Sequence, residues 1–305
     1  MDQESKIGLF VFNQGDEYHR RLAAEAEEAA RHRGLPVEVF DAGDTAAKQA
    51  QDLVRFVLDN PGRRLCALVV PFADAISEGP IQDDPTYRVA RRVLQKGMGW
   101  IMLNHGRESV VTALRREFPA LPVALVAIDN VEFGRMQARQ LRALVSAGSK
   151  VLHVRGNPFD SACQERAAGF KEGLQTSGIA VEEVDGRWDS ATAEKEILRW
   201  IASPFRQQAP LHAVVGQNDA MAAAARRVLA RAAPELGRPE LKEIPVLGGD
   251  GLPGLGRSWV DEGTLTATIC VTLAGRPAIE MLTRHWRDLA PLPAVTRLAP
   301  TPYPR

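Results

Sequence analysis

Short apolar segments alternate with amphipathic helical segments along nearly the whole chain. The apolar segments are rich in β-branched or aromatic residues and almost continuous in hydrophobicity, which is typical of strands covered on both faces. They predict strands at 6–12, 37–40, 65–70, 100–103, 123–128, 151–154, 180–184, 211–215, 244–247 and 265–270. The segments between them predict helices at 19–33, 49–58, 87–96, 136–147, 163–176, 191–201, 221–232 and 277–287. Such alternation predicts parallel sheets joined by right-handed crossovers.

The alternating series divides into two similar halves near Asp129 and Asn130. Each half holds about five predicted strands, enough for a doubly wound sheet with a core of its own. We therefore predict an α/β fold of two doubly wound parallel-sheet lobes. The proline-rich tail, 291–304, is expected to run over the surface as a strap because it lies so close to the chain end.

The predicted strand 211–215 leads into three adjacent polar residues, Gln217, Asn218 and Asp219, and an alanine-rich helical segment follows. Asn218 or Asp219 is well placed to cap that helix. In open α/β sheets, ligands also bind at the carboxyl ends of the strands. A carboxamide beside a carboxylate can both donate and accept hydrogen bonds, which suits a neutral polyhydroxylated ligand. Two interpretations of these residues therefore remain open, a helix cap alone and a ligand site.

Polar and aromatic residues recur after other predicted strands and at the start of the helices that follow. Asp250, for example, is flanked by glycines that let a ligand approach the backbone closely. Each such residue alone is typical of a helix cap or a solvated loop, and the sharper hypothesis is that they converge on one cleft. The positions concerned are Asn13, Tyr18, Asn104, His105, Arg166, Trp188 and Asp250.

One Gly-x-Gly-x-x-Gly sequence, from Gly249 to Gly254, follows a predicted strand as a dinucleotide-binding motif would. Pro253 stands where a helix should open, and only about ten residues remain before the next strand, too few for a crossover helix. The sequence also lacks a phosphate-binding loop, a nucleophile elbow and a zinc-protease motif. We therefore expect no catalytic residue, no metal and no cofactor. An α/β enzyme using Asp250 or His105 on a nucleotide or sugar phosphate is the lowest-ranked alternative.

The 305 residues include 38 basic and 38 acidic side chains, so no net charge favours nucleic acid or an anionic membrane as a partner. Cys66, Cys163 and Cys270 are scattered and odd in number, which predicts buried thiols without a disulfide framework or zinc site. The first apolar segment is too short for a secretory signal, and no segment is long enough to insert into a membrane. As written, the chain is expected to be cytoplasmic; with a signal peptide removed, it would be periplasmic or extracellular.

Four parts of the chain, which together cover nearly all of it in the right order, carry a family resemblance. They are the opening unit 7–33, Val126-Ala-Ile-Asp129-Asn130 followed by Gly134, Arg166-Ala-Ala-Gly169-Phe170, and the pair Val215-Gly-Gln-Asn218-Asp219-Ala-Met221-Ala and Leu247-Gly-Gly-Asp250-Gly251. With these segments the chain resembles a sugar-binding protein of the type I periplasmic-binding-protein fold. That family is the ribose/galactose branch of ABC-transporter receptors, and lac-repressor-type regulators share its fold in their effector domain.

The resemblance implies a non-enzymatic receptor whose lobes, joined by a three-strand hinge, close on a monosaccharide or polyol in the cleft between them. It implies one lobe of residues 1–128 plus 272–292 and another of 129–271 plus 293–305. The partner would be an ABC permease or a signalling or regulatory protein, with no direct contact to nucleic acid. By position, the implied ligand-binding residues are Asn13, Tyr18, Asn104, His105, Asp129, Arg166, Trp188, Asn218 and Asp250.

The sequence departs from the family pattern at positions that bear on which ligand is bound. Asn104-His105 stands where aspartate-arginine is common, and Cys270-Val271 follows the Ala-Thr-Ile run where a polar residue is common. Because lac-repressor-type regulators share the fold, a second hypothesis is a cytosolic ligand-sensing module that acts on a transcriptional or signalling partner. Arg166 is the most informative residue, because the alternative to a ligand contact is an ordinary exposed helix arginine. We expect its guanidinium to reach the ligand with Asp250 or Asp219 nearby, and its replacement by alanine to weaken binding while changing the fold little.

Overall fold

The computed structural model describes residues 5–72, 79–203 and 210–304. Its strands are β1 (Ser5–Val11), β2 (Val37–Asp41), β3 (Arg64–Val69), β4 (Gly99–Asn104), β5 (Val123–Ile128), β6 (Lys150–Arg155), β7 (Ala180–Asp185), β8 (Ala213–Gly216), β9 (Val246–Leu247), β10 (Thr268–Cys270), β11 (Val295–Leu298) and β12 (Thr301–Tyr303). Its helices are α1 (Glu17–Arg31), α2 (Ala46–Leu58), α3 (Pro85–Leu94), α4 (Glu108–Glu117), α5 (Asn130–Arg142), α6 (Ser161–Leu174), α7 (Ser190–Ile201), α8 (Asp219–Glu235), α9 (Gly256–Asp261) and α10 (Gly275–Asp288). The chain forms two compact units, Met1–Ile128 with Leu273–Leu298 and Asp129–Thr272 with Ala299–Arg305.

The first unit is built on a six-stranded parallel sheet in the order β11-β5-β4-β3-β1-β2. Helices cover both faces, so β4 and β5 are buried along their whole length. Leu9 packs with α1 and α10 on one face, while the next residue, Phe10, packs with α2, α3 and α4 on the other. Successive strand residues point to opposite faces. The nearly continuous apolar runs in the sequence are thus explained by two cores, one on each side of the sheet.

The second unit has a four-stranded parallel sheet in the order β7-β6-β8-β9 and a separate antiparallel pair, β10 and β12. One core lies between this sheet and α7 and α8, and the other lies beneath α5 and α6. Helices α5 and α6 approach each other backbone to backbone. A Cβ atom added at Gly134 would overlap the carbonyl oxygen of Arg166, and one added at Gly169 would overlap that of Val131. The two glycines therefore set the distance between these helices.

Several helices begin with an aspartate or asparagine whose side chain accepts a hydrogen bond from the first helical turn. These caps satisfy backbone N–H groups that have no partner within the helix. Because most of these caps follow a parallel strand, the turn from strand to helix gathers polar side chains at the carboxyl edge of each sheet. The capping residues are Asp16, Asp84, Asp129, Asp160, Asp189 and Asn218.

The predicted α/β class with two parallel-sheet lobes is confirmed, and every predicted strand and helix has a counterpart. Two helices were not predicted, α4 and α9. The short helix α9 lies in the segment judged too short for a crossover, and its six residues agree with that limit. The predicted buried thiols are also present: Cys66, Cys163 and Cys270 are free and buried.

The predicted surface strap at the chain end is wrong, because the tail contributes two strands. β11 pairs in parallel with β5, with Val295 opposite Leu125, and so extends the first unit's sheet. β12 pairs with β10, and it accommodates Pro302 because an edge strand can leave the missing N–H side unpaired. Residues 293–298 therefore belong to the first unit, and the predicted boundary at 293 moves to Ala299. Pairing with a distant strand decided this, and the local sequence carried no such signal.

We expect acid to destabilise the second unit through His153, which lies on β6 with no exposed surface. Burial lowers the pKa of this imidazole, despite the Glu183 carboxylate 3.4 Å from its Nδ1. The unfolded chain therefore binds this proton more readily than the folded one. The stability contributed by the neutral ring is complete above the unfolded pKa of about 6.5 and is lost as the pH falls below it.

Urea unfolding of the wild type and of His153→Leu between pH 7.5 and 5 measures this contribution. The wild type should lose more free energy of unfolding across that range than the variant, which has nothing to titrate at this position. His32→Gln, at an exposed histidine of the first unit, is the control and should keep the wild-type slope. Equal slopes for the wild type and His153→Leu would show that the buried ring does not titrate in this window.

Candidate functional site

Arg166 is the centre of a buried polar cluster in the second unit. Helix α6 begins at Ser161 after the cap Asp160, which places Arg166 in its second turn. The side chain is only 5% exposed. Its Nε donates to Asn130 Oδ1 at 2.9 Å, and its Nη1 donates to the Gln217 carbonyl oxygen at 2.5 Å and to Asp250 Oδ1 at 3.2 Å. The buried positive charge is thus hydrogen-bonded and paired with a carboxylate, as burial requires.

Two aromatic rings accompany the guanidinium. The Phe133 ring centroid lies 3.8 Å from Arg166 Cζ, and the Trp188 ring lies 5.3 Å away. Trp188 is held in turn, since its Nε1 donates to Asp160 Oδ2 at 3.1 Å and a Cβ added at Gly156 would overlap its ring. The two ring contacts have favourable cation–π distances, and they help to hold the guanidinium in one orientation.

One nitrogen of Arg166 is available to a ligand. The hydrogen bonds above use Nε and Nη1, and within the described part of the chain Nη2 donates to no acceptor. A guanidinium cannot lose its proton under ordinary conditions, so these N–H groups remain donors. The alternative of an ordinary exposed helix arginine is therefore wrong. The expectation that its loss would change the fold little is also inconsistent with the structure, because the removed side chain is buried.

Asp250 and Asp219 lie beside this cluster, in different environments. Asp250 is half-buried, with a left-handed backbone φ of 91°. Asp219 is buried, and its Oδ1 accepts from Thr268 Oγ1 at 2.6 Å while its Oδ2 accepts from the Gly251 N–H at 2.8 Å. Burial raises the pKa of Asp219 well above its ordinary value, and the nearby charge of Asp250 raises it further. Of the two carboxylates, Asp250 is the one that reaches Arg166.

Asn218 caps α8, and Asp219 does not. The Asn218 Oδ1 accepts from the Met221 N–H at 2.9 Å, and its Nδ2 donates to the Trp188 carbonyl oxygen at 3.1 Å. Asp129 is likewise a cap, because its Oδ1 accepts from the Glu132 N–H at 2.9 Å. The capping function proposed for Asn218 is therefore present, and it also ties this residue to Trp188.

A second cluster of predicted residues lies in the first unit. The Tyr18 hydroxyl donates to Asn104 Oδ1 at 3.0 Å. His105 is 7% exposed, and its Nδ1 has no hydrogen-bond partner within the described residues. Asn13 follows β1, and its Nδ2 donates to Asp44 Oδ2 at 2.6 Å. Tyr18 and Asn104 are thus brought together from positions far apart in the sequence, at the carboxyl edge of the sheet.

Three of the nine predicted site residues have left-handed backbone conformations. Asn104 has a φ of 69°, Trp188 of 65° and Asp250 of 91°. Such values are uncommon for residues other than glycine, and they persist where the surrounding structure enforces them, often at binding sites. Asp44, Arg187 and Leu289 share this conformation without being predicted site residues, so the backbone strain agrees with the prediction and does not single out the site.

The structure brings Arg166, Trp188, Asn218 and Asp250 into one network in the second unit, and Tyr18 and Asn104 into contact in the first. That all nine predicted residues line one cleft stays a prediction. The partners of these residues that the sequence did not predict are Asn130, Phe133, Asp160 and the Gln217 backbone. Of these, Asn130 carried a signal, since it stands in a segment that resembles the family, whereas nothing in the sequence marked the Gln217 carbonyl oxygen. Within residues 5–72, 79–203 and 210–304, no three histidine, cysteine or acidic side chains are grouped as metal ligands would be.

Residues 7–287 match the family described as periplasmic binding protein domain. The chain belongs to the periplasmic binding protein family. The resemblance drawn from the sequence, to the type I sugar-receptor branch, is thereby confirmed. In the part of the chain that the structure describes, this family member has no helix that is both long and apolar enough to cross a bilayer.

Relatives of this periplasmic binding protein include two ribose import binding proteins. That of Bacillus subtilis is 24% identical over 249 residues, 82% of this chain and 70% of the relative. That of Escherichia coli is 30% identical over 172 residues, 55% of this chain and 53% of the relative. The match thus spans about half the length of the second protein.

Solved structures with the same fold include two solute-binding proteins. A Caulobacter myo-inositol binding protein bound to myo-inositol gives a TM-score of 0.76 at 21% identity, covering 99% of this chain and 93% of that one. An ABC transporter solute-binding protein from Actinobacillus succinogenes with bound D-allose gives 0.79 at 18% identity, with 98% and 96% coverage. At these identities the likeness supports the fold of a periplasmic binding protein.

Proposed function

We propose that this chain is a non-enzymatic receptor for a small neutral polyhydroxylated molecule, a monosaccharide or cyclic polyol. The observation that carries the proposal is Arg166, whose charge is balanced by Asp250 and whose Nη2 remains free to donate. A guanidinium held in this way binds hydroxyl oxygens through directed hydrogen bonds. Because its charge is already paired, it does not require an anionic group on the ligand.

The first unit supports the same ligand class. Asn104 Oδ1 accepts from Tyr18, and within the described residues its Nδ2 donates to no acceptor. An amide donor beside the partly free imidazole of His105 suits hydroxyl groups better than a phosphate, which would favour arginine or lysine. The ligands named for the relatives and for the solved structures, ribose, allose and myo-inositol, are neutral and rich in hydroxyls.

In the proposed binding step, polar side chains of both units contact the ligand. Asn13, Tyr18, Asn104 and His105 act from the first unit; Asp129, Arg166, Trp188, Asn218 and Asp250 act from the second. Each net hydrogen bond contributes about 0.5–1.5 kcal/mol, and the Trp188 ring offers an apolar surface to a sugar face. A ligand that makes all these contacts favours the arrangement of the units that allows them. It does so to the extent that it binds that arrangement more tightly than any other.

The proposed role in the cell follows from the family. The chain would deliver its ligand to an ABC permease, from the periplasmic side of the membrane. It would carry out no chemistry on the ligand. The carboxylates at the centre of the site favour a binding role, because Asp250 pairs with Arg166 and Asp219 is hydrogen-bonded within the second unit.

A thermal-shift screen of the purified chain tests the ligand class. The panel holds D-ribose, D-allose, myo-inositol, L-arabinose and their 5- or 6-phosphates where these exist, together with nucleotides. A true ligand at one hundred times its Kd should stabilise the protein by about 2.7 kcal/mol through mass action. A response to at least one neutral sugar or polyol is expected. A response confined to phosphorylated compounds or nucleotides would overturn the proposal in favour of an enzyme.

A further inference from the structure

We infer that Asp219 is a positioning residue, whose carboxyl group holds the loop that presents Asp250 to Arg166. The inference rests on the proposed function for its effect on ligand binding. Its effect on the loop itself can be measured without any ligand.

Asp219 joins three segments of the second unit that are distant in sequence. It is the first residue of α8, and its backbone N–H donates to the Gly249 carbonyl oxygen at 2.6 Å. Its Oδ2 accepts from the Gly251 N–H at 2.8 Å, and its Oδ1 accepts from Thr268 Oγ1 of β10 at 2.6 Å. The two residues bonded on the loop, Gly249 and Gly251, are the immediate neighbours of Asp250. The loop is therefore fixed on both sides of the carboxylate that pairs with Arg166.

Two glycines pack directly against the Asp219 carboxyl group, where a larger residue would not fit. A Cβ atom added at Gly248 would overlap Asp219 Oδ1, and one added at Gly256 would overlap Oδ2. Such contacts show that the loop from Gly248 to Gly256 is folded tightly around the carboxyl group. Gly248 and Gly256, which flank the Gly-x-Gly-x-x-Gly sequence on either side, are thus explained by close contact with the Asp219 carboxyl group.

Asp219 does not serve as a ligand contact itself. It is 5% exposed, and both of its oxygens accept hydrogen bonds within the unit. Asp250, in contrast, has a left-handed φ of 91°, a conformation that persists only when neighbouring contacts impose it. The hydrogen bonds of Asp219 to Gly249 and Gly251 flank this strained residue on both sides. Its carboxyl group acts on the ligand through the position of Asp250.

Protonation is compatible with this role. Burial raises the pKa of Asp219, and the charge of Asp250 adds to that effect. The charged groups near it are Asp250 on the loop and, beyond Asp250, Arg166 on α6. Asparagine, which is neutral and of the same shape, can accept from Gly251 with its oxygen and donate to the Thr268 hydroxyl with its amide. Asparagine should therefore preserve the loop, whereas alanine should release it.

The test compares Asp219→Ala, Asp219→Asn and the control Val228→Ala. Val228 is a fully buried core residue of the same helix, far along the chain from the loop, so its truncation lowers stability without touching Asp250. Amide hydrogen exchange at Gly251 and the side-chain Nε–H signal of Arg166 are recorded by NMR without ligand. Calorimetric titrations then use D-ribose and myo-inositol as probes.

In Asp219→Ala, exchange at Gly251 should accelerate by about tenfold or more, since its hydrogen bond is lost. The Arg166 Nε–H signal should shift, and the affinity for a bound probe should fall by about tenfold or more. Asp219→Asn should restore all three to within about threefold of the wild type. Val228→Ala should lower the melting temperature and leave all three measurements unchanged.

Two results would overturn the inference. One is wild-type exchange at Gly251 and an unshifted Arg166 signal in a folded Asp219→Ala protein. The other is an equal loss in Val228→Ala, which would make the effect one of general stability. If neither probe binds the wild type, the proposed ligand class fails for these two compounds. The exchange and Arg166 measurements still decide the role of Asp219 in that case, so the two failures are distinguishable.

Discussion

Replacing Arg166 with alanine should both destabilise the protein and weaken ligand binding. The substitution removes a guanidinium that is 5% exposed and leaves Asp250, whose side chain is 15% exposed, without its cationic partner. Loss of one member of a buried ion pair typically costs about 3–5 kcal/mol of folding free energy. The lost donor to the ligand should cost a further 1.5–3 kcal/mol of binding, or about 10- to 150-fold in affinity.

Urea unfolding measures the first effect, and calorimetric titration with a ligand identified by the thermal-shift screen measures the second. The double variant Arg166→Ala with Asp250→Ala should be less destabilised than the sum of the single variants, because no unpaired charge is left. Arg135→Ala removes an exposed arginine of α5 that pairs with Glu132 and Glu172, and it should change neither quantity measurably. An affinity unchanged in Arg166→Ala would show that this arginine has only a structural role.

Replacing Gly169 with alanine should destabilise the second unit and disturb the Arg166 cluster together. The added methyl group would overlap the Val131 carbonyl oxygen, and backbone atoms cannot rotate out of the way. Overpacking of this kind usually costs about 1–3 kcal/mol or more, which exceeds the roughly 0.5–1 kcal/mol that alanine gains over glycine within a helix. Helix α6 would have to move from α5, and the 2.9 Å bond from Arg166 to Asn130 joins these two helices.

The expected outcome is a lower free energy of unfolding and a weaker ligand affinity in Gly169→Ala. Ala168→Val is the matched control, because it adds bulk to the neighbouring, exposed position of the same helix. Its free energy of unfolding should fall by about 0.7 kcal/mol at most, the difference in helix propensity between a β-branched residue and alanine. If Gly169→Ala is as stable as the wild type, the close approach of α5 and α6 is not required by this glycine.

Only part of the geometry of the Arg166 cluster could be predicted from the sequence. Asn218 and Asp250 were identifiable because each follows a strand, and parallel strands end at one edge of a sheet. The partners of Arg166 were not identifiable in this way, because Asn130 and the Gln217 carbonyl lie 36 and 51 residues away and bind through orientation. Backbone carbonyls are present at every residue, so no sequence pattern marks the one that accepts a side-chain hydrogen bond.

The sequence by itself determined the layered α/β architecture and the edge of each sheet where polar residues gather. It did so because strands buried on both faces must be continuously apolar, and because caps must stand where helices begin. Two features, the strands of the chain end and the burial of Arg166, were decided by tertiary structure alone. The strands β11 and β12 exist because β5 and β10 offer unpaired edges, and the charge of Arg166 is tolerated because Asp250 approaches it across 84 residues of chain. Both depend on contacts between distant segments, whose free energy appears only after the elements that carry them have packed.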